Sequence, residues 1–220
     1  MKVEREAKLR LTAEEASRID ASWGPPRESV QQENLYLDTP TGALQAVRGG
    51  LRLRRERLLD AKEHAPGRVW LTFKGPSSEE AWFAERSERE RRVEAAEAQR
   101  ILDLLESGPA IAGHLAQVVP RELRARIARE GLRPIGRLIN ERRTYLIDLP
   151  SAAGPRTVAI EVDRVRFPDG AIEYELEIEW PPESGGFPER AVRERLVAIG
   201  VGWRPETRSK LARLLSRSEG

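Results

Sequence analysis

The chain has 220 residues, 34% of them charged and 39% hydrophobic, with a net charge of only +2 and no cysteine. That length suits one large domain or two small ones, with enough chain for a substantial core. The near-neutral balance excludes a global basic attraction to nucleic acid or membrane, and the lack of thiols excludes disulfides, thiolate metal sites and cysteine nucleophiles.

The positive charge is almost entirely arginine, since the lysines are limited to Lys2, Lys8, Lys62, Lys74 and Lys210. The two histidines, His64 and His114, lie far apart, make no metal-ligand spacing and are expected to face solvent. No apolar run at the start suits a signal peptide, and no segment approaches the ~20 apolar residues of a membrane span. A soluble cytoplasmic protein is the expectation.

In chain order, residues 2–11 alternate as a strand, and Thr12 is placed to cap a short helix with Glu14 and Glu15 in its first turn. A strand over 31–38 ends in the turn Asp38-Thr39-Pro40-Thr41-Gly42. Alternation returns at 50–58, at 68–75 and at about 82–91. Helical periodicity follows at 94–106, then a helix near 120–130 with Pro120 to start it and Gly131 to stop it. Strands resume at 135–148, 156–166 and 171–180. Helices at 188–199 and about 205–217 close the chain, the last with Pro205 in its first turn. Strands, then helices, then strands and helices predict an α+β fold dominated by an antiparallel sheet.

The strand faces carry the functional signal. Glu4, Glu6 and Lys8 share one face of the first strand, and two carboxylates in register with a lysine suit a divalent cation carrying an anion. Arg52 and Arg54 oppose Leu51 and Leu53. Thr72 and Lys74 oppose Val69, Leu71 and Phe73, and Arg86, Glu88 and Glu90 share another face. Late in the chain Glu161 and Asp163 oppose Val158, Ile160 and Val162. Glu173, Glu175, Glu177 and Glu179 oppose Ile172, Tyr174, Leu176, Ile178 and Trp180. Helices can cover the apolar faces, and if the sheet curls into a barrel the charged faces line one channel. Some strands present bases and others acids, as expected of walls that bracket a polyanion and its metal ions. A solvated mixed-charge surface is the plainer alternative.

With these residues assembled, the chain resembles the CYTH superfamily, the triphosphate tunnel metalloenzymes. Glu4-Arg5-Glu6-Ala7-Lys8 matches the ExExK opening strand, and Asn34-Leu35-Tyr36-Leu37-Asp38-Thr39-Pro40 is similar to the family's Y-(F/L)-D-T strand end. Leu51-Arg52-Leu53-Arg54-Arg55 resembles the R-x-R strand, Leu71 to Gly75 the lysine strand, and Arg86-Ser87-Glu88-Arg89-Glu90 the R-x-E-x-E strand. Arg142 to Tyr145, the acidic strands at 160–163 and 174–179, and Thr207-Arg208-Ser209-Lys210-Leu211 complete the series. Any one piece is weak, but taken in order they span nearly the whole chain.

The resemblance implies an eight-stranded antiparallel β-barrel, a tunnel with helices packed outside and a C-terminal helix. It is read as a single domain over 1–220 with a helical insertion at about 94–131. The implied activity is Mg²⁺- or Mn²⁺-dependent hydrolysis of a triphosphate, inorganic tripolyphosphate in first place. Thiamine or nucleoside triphosphates, a class IV-type adenylate cyclase and a non-catalytic polyphosphate- or nucleotide-binding module are the alternatives. Lys8, Arg52, Arg54, Lys74, Arg86, Arg142 and Lys210 are then the substrate contacts. Glu4, Glu6 and Glu179 are expected to hold the main cation. Glu161, Asp163 and Glu177 are left for a second ion or an oriented water, with Lys8 beside them and Glu90 as a further acidic ligand. No nucleic-acid or membrane partner is implied, and a monomer or homodimer suits either reading. The strand around Arg142 lacks a lysine that many members carry, and Arg143 is the alternative inward residue, because a one-residue slip swaps faces. Glu173 and Glu175 are expected to be solvated charges beside the Asp169-Gly170 turn, Glu173 above all.

Overall fold

Period-two alternation of large apolar and charged residues is satisfied by a sheet with two unlike faces, and closing that sheet removes its edges. The computed structural model describes residues 2–60, 67–80, 83–149, 154, 156–180 and 189–218, and for residues 2–4, 77–80, 83 and 218 the backbone alone. Lys62, His64 and Trp82 lie outside the described residues, as does the side chain of Glu4.

The strands are β1 (Lys2–Leu11), β2 (Glu28–Asp38), β3 (Gly50–Leu58), β4 (Arg68–Glu80), β5 (Phe83–Val93), β6 (Arg133–Leu149), β7 (Arg156–Arg166) and β8 (Ile172–Glu179). They close in the order β1-β5-β4-β3-β2-β6-β7-β8, every neighbour antiparallel. The helices are α1 (Ala13–Trp23), α2 (Ala43–Ala46), α3 (Ala95–Asp103), α4 (Gly108–His114), α5 (Arg121–Glu130), α6 (Glu189–Ala198) and α7 (Lys210–Ser218).

The apolar residues point out of the barrel and are covered by helices. Leu9, Ile147, Ile160, Val162, Leu176 and Ile178 pack with Ile19 of α1 and with Val192 and Leu196 of α6. Leu51, Leu53, Leu71 and Phe73 pack with Ile101 of α3, Ile111 of α4 and Ile127 of α5. These side chains are nearly all under 6% exposed, so this outer layer is the hydrophobic core and stabilises the closed sheet.

Local signals set the helix ends. Thr12 accepts from the Glu15 amide at 3.2 Å while Glu15 accepts from the Thr12 amide at 2.8 Å, a complete capping box. Pro120 and Gly131 bound α5 as expected. The expectation for Pro205 is corrected. It lies in an extended segment bridged to Leu9, where the Glu206 amide donates to the Lys8 carbonyl at 2.9 Å, and the helix begins only at Lys210. Ser209 starts it by accepting from the Ala212 amide at 3.1 Å. The short helices α2 and α4 have no counterpart in the sequence reading.

Gly136 of β6 allows α7 to dock, because a Cβ there would stand 2.6 Å from Leu214 Cδ2. Leu214 is 1% exposed among Tyr36, Leu138, Val165 and Phe167, so it cannot move aside. Gly136→Ala should therefore cost about 1–3 kcal/mol by overpacking. In chemical denaturation the pair Gly136→Ala/Leu214→Ala should lose less than the two single variants added together; strict additivity would mean that this contact does not set the position of α7.

Candidate active site

The inward side chains line a cavity of about 820 Å³. Lys8, Arg52, Arg54, Thr72, Lys74, Arg86, Glu88, Glu90, Arg142, Glu161, Glu177, Glu179 and Lys210 all contribute to its wall. Strand parity had selected each of these strand residues except Arg142, which the family resemblance supplied. Arg142 is the inward member of its pair, while Arg143 points outward to Asp20.

One wall is acidic. Across the β1–β8 ladder Glu6 stands directly opposite Glu179, and across β7–β8 Glu161 opposes Glu177 and Asp163 opposes Glu175. Like charges at directly opposed positions repel, and burial raises the cost, so cations must be supplied. Arg142 supplies one. Its Nε and Nη2 donate to the two oxygens of Asp163 at 2.8 and 2.7 Å, and it also pairs with Glu161 and Glu177. Lys210 supplies another from α7, with Nζ 2.8 Å from Asp163, 3.0 Å from Glu177, and paired with Glu175.

Burial opposes ionisation of Asp163 and Glu177, yet Lys210 and Arg142 hold both below the usual carboxylate range. Burial, with neighbouring carboxylates adding to it, raises Glu175 in spite of Lys210 and Arg213. Glu161 goes further. Burial, joined by Asp163, Glu177 and Glu179, pushes it up to about 8 against the pull of Arg142.

The other wall, on β3, β4 and β5, is basic, and Lys8 of β1, opposite Glu177, joins it to the acidic one. Lys8 donates to Glu6 at 2.6 Å, Arg86 also bonds Glu6, and Lys74 Nζ lies 3.9 Å from Glu6 and 3.6 Å from Glu88. Although burial works the other way, Lys8, Lys74 and Arg86 hold the Glu6 carboxyl at about 2. Arg54 Nη1 donates to Glu56 at 3.1 Å. Arg52 Nε and Nη2 and Arg54 Nε are buried with no hydrogen-bond partner among the described residues. Buried guanidinium donors without acceptors are costly, and an anion in the cavity would satisfy those of Arg52 and Arg54.

The structure separates some residues that the sequence grouped. Asp163 is wholly buried behind Arg142 and Lys210 and does not line the cavity, so it anchors those cations. Glu90 is exposed on β5, accepting from Thr72 Oγ1 at 2.7 Å, away from the acids of β8. The expectation that Glu173 and Glu175 are solvated is corrected. Glu175 is fully buried against Lys210 and Arg213, and Glu173 is paired with Arg213 and Arg217. The register places Glu4 opposite Arg86. His114 is 28% exposed, with Nδ1 3.5 Å from Glu97, outside the barrel.

Sequence reasoning missed Gln32, Asn34, Glu56, Asn140, Arg48 and Arg213. Gln32 Nε2 donates to Glu56 Oε1 at 2.9 Å, Asn140 Nδ2 to Gln32 Oε1 at 3.0 Å, and Trp70 Nε1 to Glu56 Oε2 at 2.9 Å. Glu56 shares the parity of Arg52 and Arg54, and Gln32 and Asn34 share that of Tyr36, so alternation could have found all three. Arg213 lies one turn after Lys210 on the same face of α7.

Comparison with known proteins agrees with this geometry. The family model for the CYTH domain matches residues 2–212, so the chain belongs to the CYTH family. Among solved structures it is similar to HpAC1 from Hippeastrum, provisionally assigned as an adenylyl cyclase and described as having a dominant triphosphatase activity. The identity is 21%, the TM-score 0.71, and the match covers 97% of this chain and 96% of that one. A protein from Pyrococcus horikoshii matches with 20% identity and a TM-score of 0.65 over 97% and 99% of the two chains. A provisionally assigned adenylate cyclase from Bacillus halodurans matches with 21% identity and a TM-score of 0.64 over 96% and 97%. At these identities the likeness shows the fold. No curated protein matches the chain. Among the described residues, no helix is long and apolar enough to cross a membrane.

Glu161 offers a direct test of the acidic wall. Its folded carboxyl keeps its proton to about pH 8, whereas an unfolded one releases it near 4.5. The folded state therefore binds the extra proton between those values, and stability falls as pH rises through that window. In EDTA, Glu161→Gln should gain thermal stability relative to the parent between pH 5 and pH 8. Parallel stability curves would mean that Arg142 alone compensates the wall.

Proposed function

We propose that this protein hydrolyses a triphosphate inside the barrel, with inorganic tripolyphosphate as the preferred substrate. The observation that carries the reading is the set of buried, unpartnered donors on Arg52 and Arg54, facing a wall of directly opposed carboxylates across one cavity. A linear triphosphate carries about four negative charges, and it leaves water only where fixed cations replace its hydration. Arg52 and Arg54 offer forked donors to successive phosphates, Lys74 and Arg86 add charge from the same wall, and Lys8 adds it from β1, opposite Glu177. Arg142 and Lys210, anchored by Asp163 and Glu175, extend the cationic surface to the opposite wall.

A divalent cation fits the donor set. Glu6 and Glu179 face each other on adjacent strands, Glu161 and Glu177 do the same beside them, and all are oxygen ligands. Asp163, Glu175 and Glu177 also present oxygens within 4.8 Å of one another, but Lys210 already occupies that cluster. We assign the main cation to Glu6 and Glu179 with Glu4, and a second ion to Glu161 and Glu177, although Glu6 is paired with Lys8 and Arg86 and Glu177 with Lys210 and Arg142. Hard oxygen donors suit Mg²⁺ or Mn²⁺. Such an ion, when bound, supplies Lewis-acid neutralisation of phosphate oxygens.

The protein's own groups do the positioning. Arg52 and Arg54 fix the phosphates, Lys8 and Arg142 offset the charge that develops on the oxygens, and Glu161 and Glu177 accept hydrogen bonds from the attacking water. Holding water and terminal phosphorus in line is the main contribution to rate. The described cavity wall holds Tyr36 as its one aromatic residue, so no aromatic cage for a base or thiazolium is evident and the phosphates account for recognition.

Phosphate release from tripolyphosphate, ATP, GTP and thiamine triphosphate, with Mg²⁺ or Mn²⁺ and with EDTA, tests this reading. Tripolyphosphate should give pyrophosphate and phosphate with a kcat/KM at least about tenfold above that of ATP, a gap of roughly 1.4 kcal/mol. EDTA should abolish turnover. Cyclic AMP as the main product from ATP would make the protein a cyclase, and binding without turnover would make it a binding module.

Arg52→Ala and Arg54→Ala should each weaken tripolyphosphate binding by about 1.5–3 kcal/mol while leaving Tm unchanged or higher. A large loss of Tm with binding intact would make these arginines structural partners instead.

A further inference from the structure

A left-handed residue at a helix C-terminus is ordinarily glycine, because a Cβ is disfavoured there. After α2 the Gly49 amide donates to the Leu44 carbonyl at 2.8 Å and the Arg48 amide to the Gln45 carbonyl at 2.8 Å. This pair of bonds is a Schellman motif, and the residue in its left-handed position is Arg48, with φ of 52°. Among the described residues it is the one non-glycine with positive φ.

Two glycines follow directly, and neither takes the left-handed position. Both are explained by close approach. A Cβ on Gly49 would stand 3.1 Å from the Phe73 ring, and one on Gly50 would stand 3.2 Å from Leu211 Cδ2. No comparable packing explains Arg48. It is exposed, and its guanidinium has no hydrogen bond or ion pair among the described residues, yet it lines the cavity. Arg208, the other exposed arginine on that wall, is engaged with Glu206 at 3.3 Å. Arg48 precedes by two residues the start of the inward series Gly50, Arg52 and Arg54 on β3. Strain retained beside a site points to use of the side chain that causes it.

We infer that Arg48 is an outer anion contact, binding the phosphate at the exposed end of a polyphosphate whose inner phosphates lie against Arg52 and Arg54. The identity of the anion rests on the triphosphatase reading above. Glycine at position 48 would relax the backbone and remove the cation, so the inference separates stability from binding.

The test is calorimetric titration of tripolyphosphate into the full chain in EDTA, with thermal unfolding measured without ligand, for the parent, Arg48→Gly and Arg48→Lys. Arg48→Gly should raise Kd about five- to twentyfold, the loss of one charge-assisted contact, with Tm unchanged or higher. Arg48→Lys should keep Kd within about threefold of the parent, since it keeps the charge. Equal affinity for Arg48→Gly and the parent, with a higher Tm, would overturn the inference and make Arg48 a tolerated residue in a strained cap. A parent that binds tripolyphosphate in EDTA but releases no phosphate once Mg²⁺ or Mn²⁺ is supplied in place of EDTA overturns the hydrolase reading alone, and the Arg48 comparison still decides this one. A parent that binds no tripolyphosphate overturns both.

Discussion

The structure turns on carboxylates that stand opposite one another inside a closed barrel. Glu6 faces Glu179, Glu161 faces Glu177, and Asp163 faces Glu175. A sheet with this inner face gains nothing from filling its interior with apolar side chains, so its core must lie outside, beneath the helices. The acids also need cations at fixed positions, and Arg142 and Lys210 meet that need by bridging Asp163 to its neighbours. Buried charges of this kind are poor sources of stability but strong constraints on geometry.

The constraint reaches α7. Lys210 enters the barrel because the segment before it runs along β1, with Pro205 bridged to Leu9 and the Glu206 amide on the Lys8 carbonyl. Arg213 and Arg217 then clamp Glu173 and Glu175 and lie over the Phe167 ring at 5.9 and 4.5 Å. The helix is thus held by charge on one side and by Leu214 against Gly136 on the other. On the facing wall the cations outnumber their local acceptors, which leaves Arg52 and Arg54 with buried unpartnered donors. In the proposed function, a polyanion and a divalent cation complete opposite halves of the same charge pattern.

Much of this was legible in the sequence, because the strand period of two is rigid. Leu51 and Leu53 could not share a face with Arg52 and Arg54, and the register Leu51↔Phe73 and Arg52↔Thr72 preserves that division across strands. Parity could not say how deep a side chain lies or what reaches it from far away. Asp163 and Glu177 carry equivalent local signals, yet one stands behind two cations and the other lines the cavity. Glu173 and Glu175 read as solvated beside a turn because their partners come from α7, 35 to 44 residues later. Gln32, Asn34 and Asn140 were passed over because the inward faces were picked out by charge, and these residues carry none. The strained Arg48 followed from a backbone angle that no residue code displays.

The central claim is that tripolyphosphate and a divalent cation complete one charge pattern inside the barrel, and thermal unfolding with each ligand alone and with both tests it most directly. A ligand that binds only the folded state raises Tm with the logarithm of its concentration over Kd. Tripolyphosphate alone and Mn²⁺ alone should each raise Tm, and both together, read before turnover depletes the substrate, should raise it by more than the two increments added. A Tm that moves no further with tripolyphosphate than with sodium chloride of equal ionic strength would contradict the account.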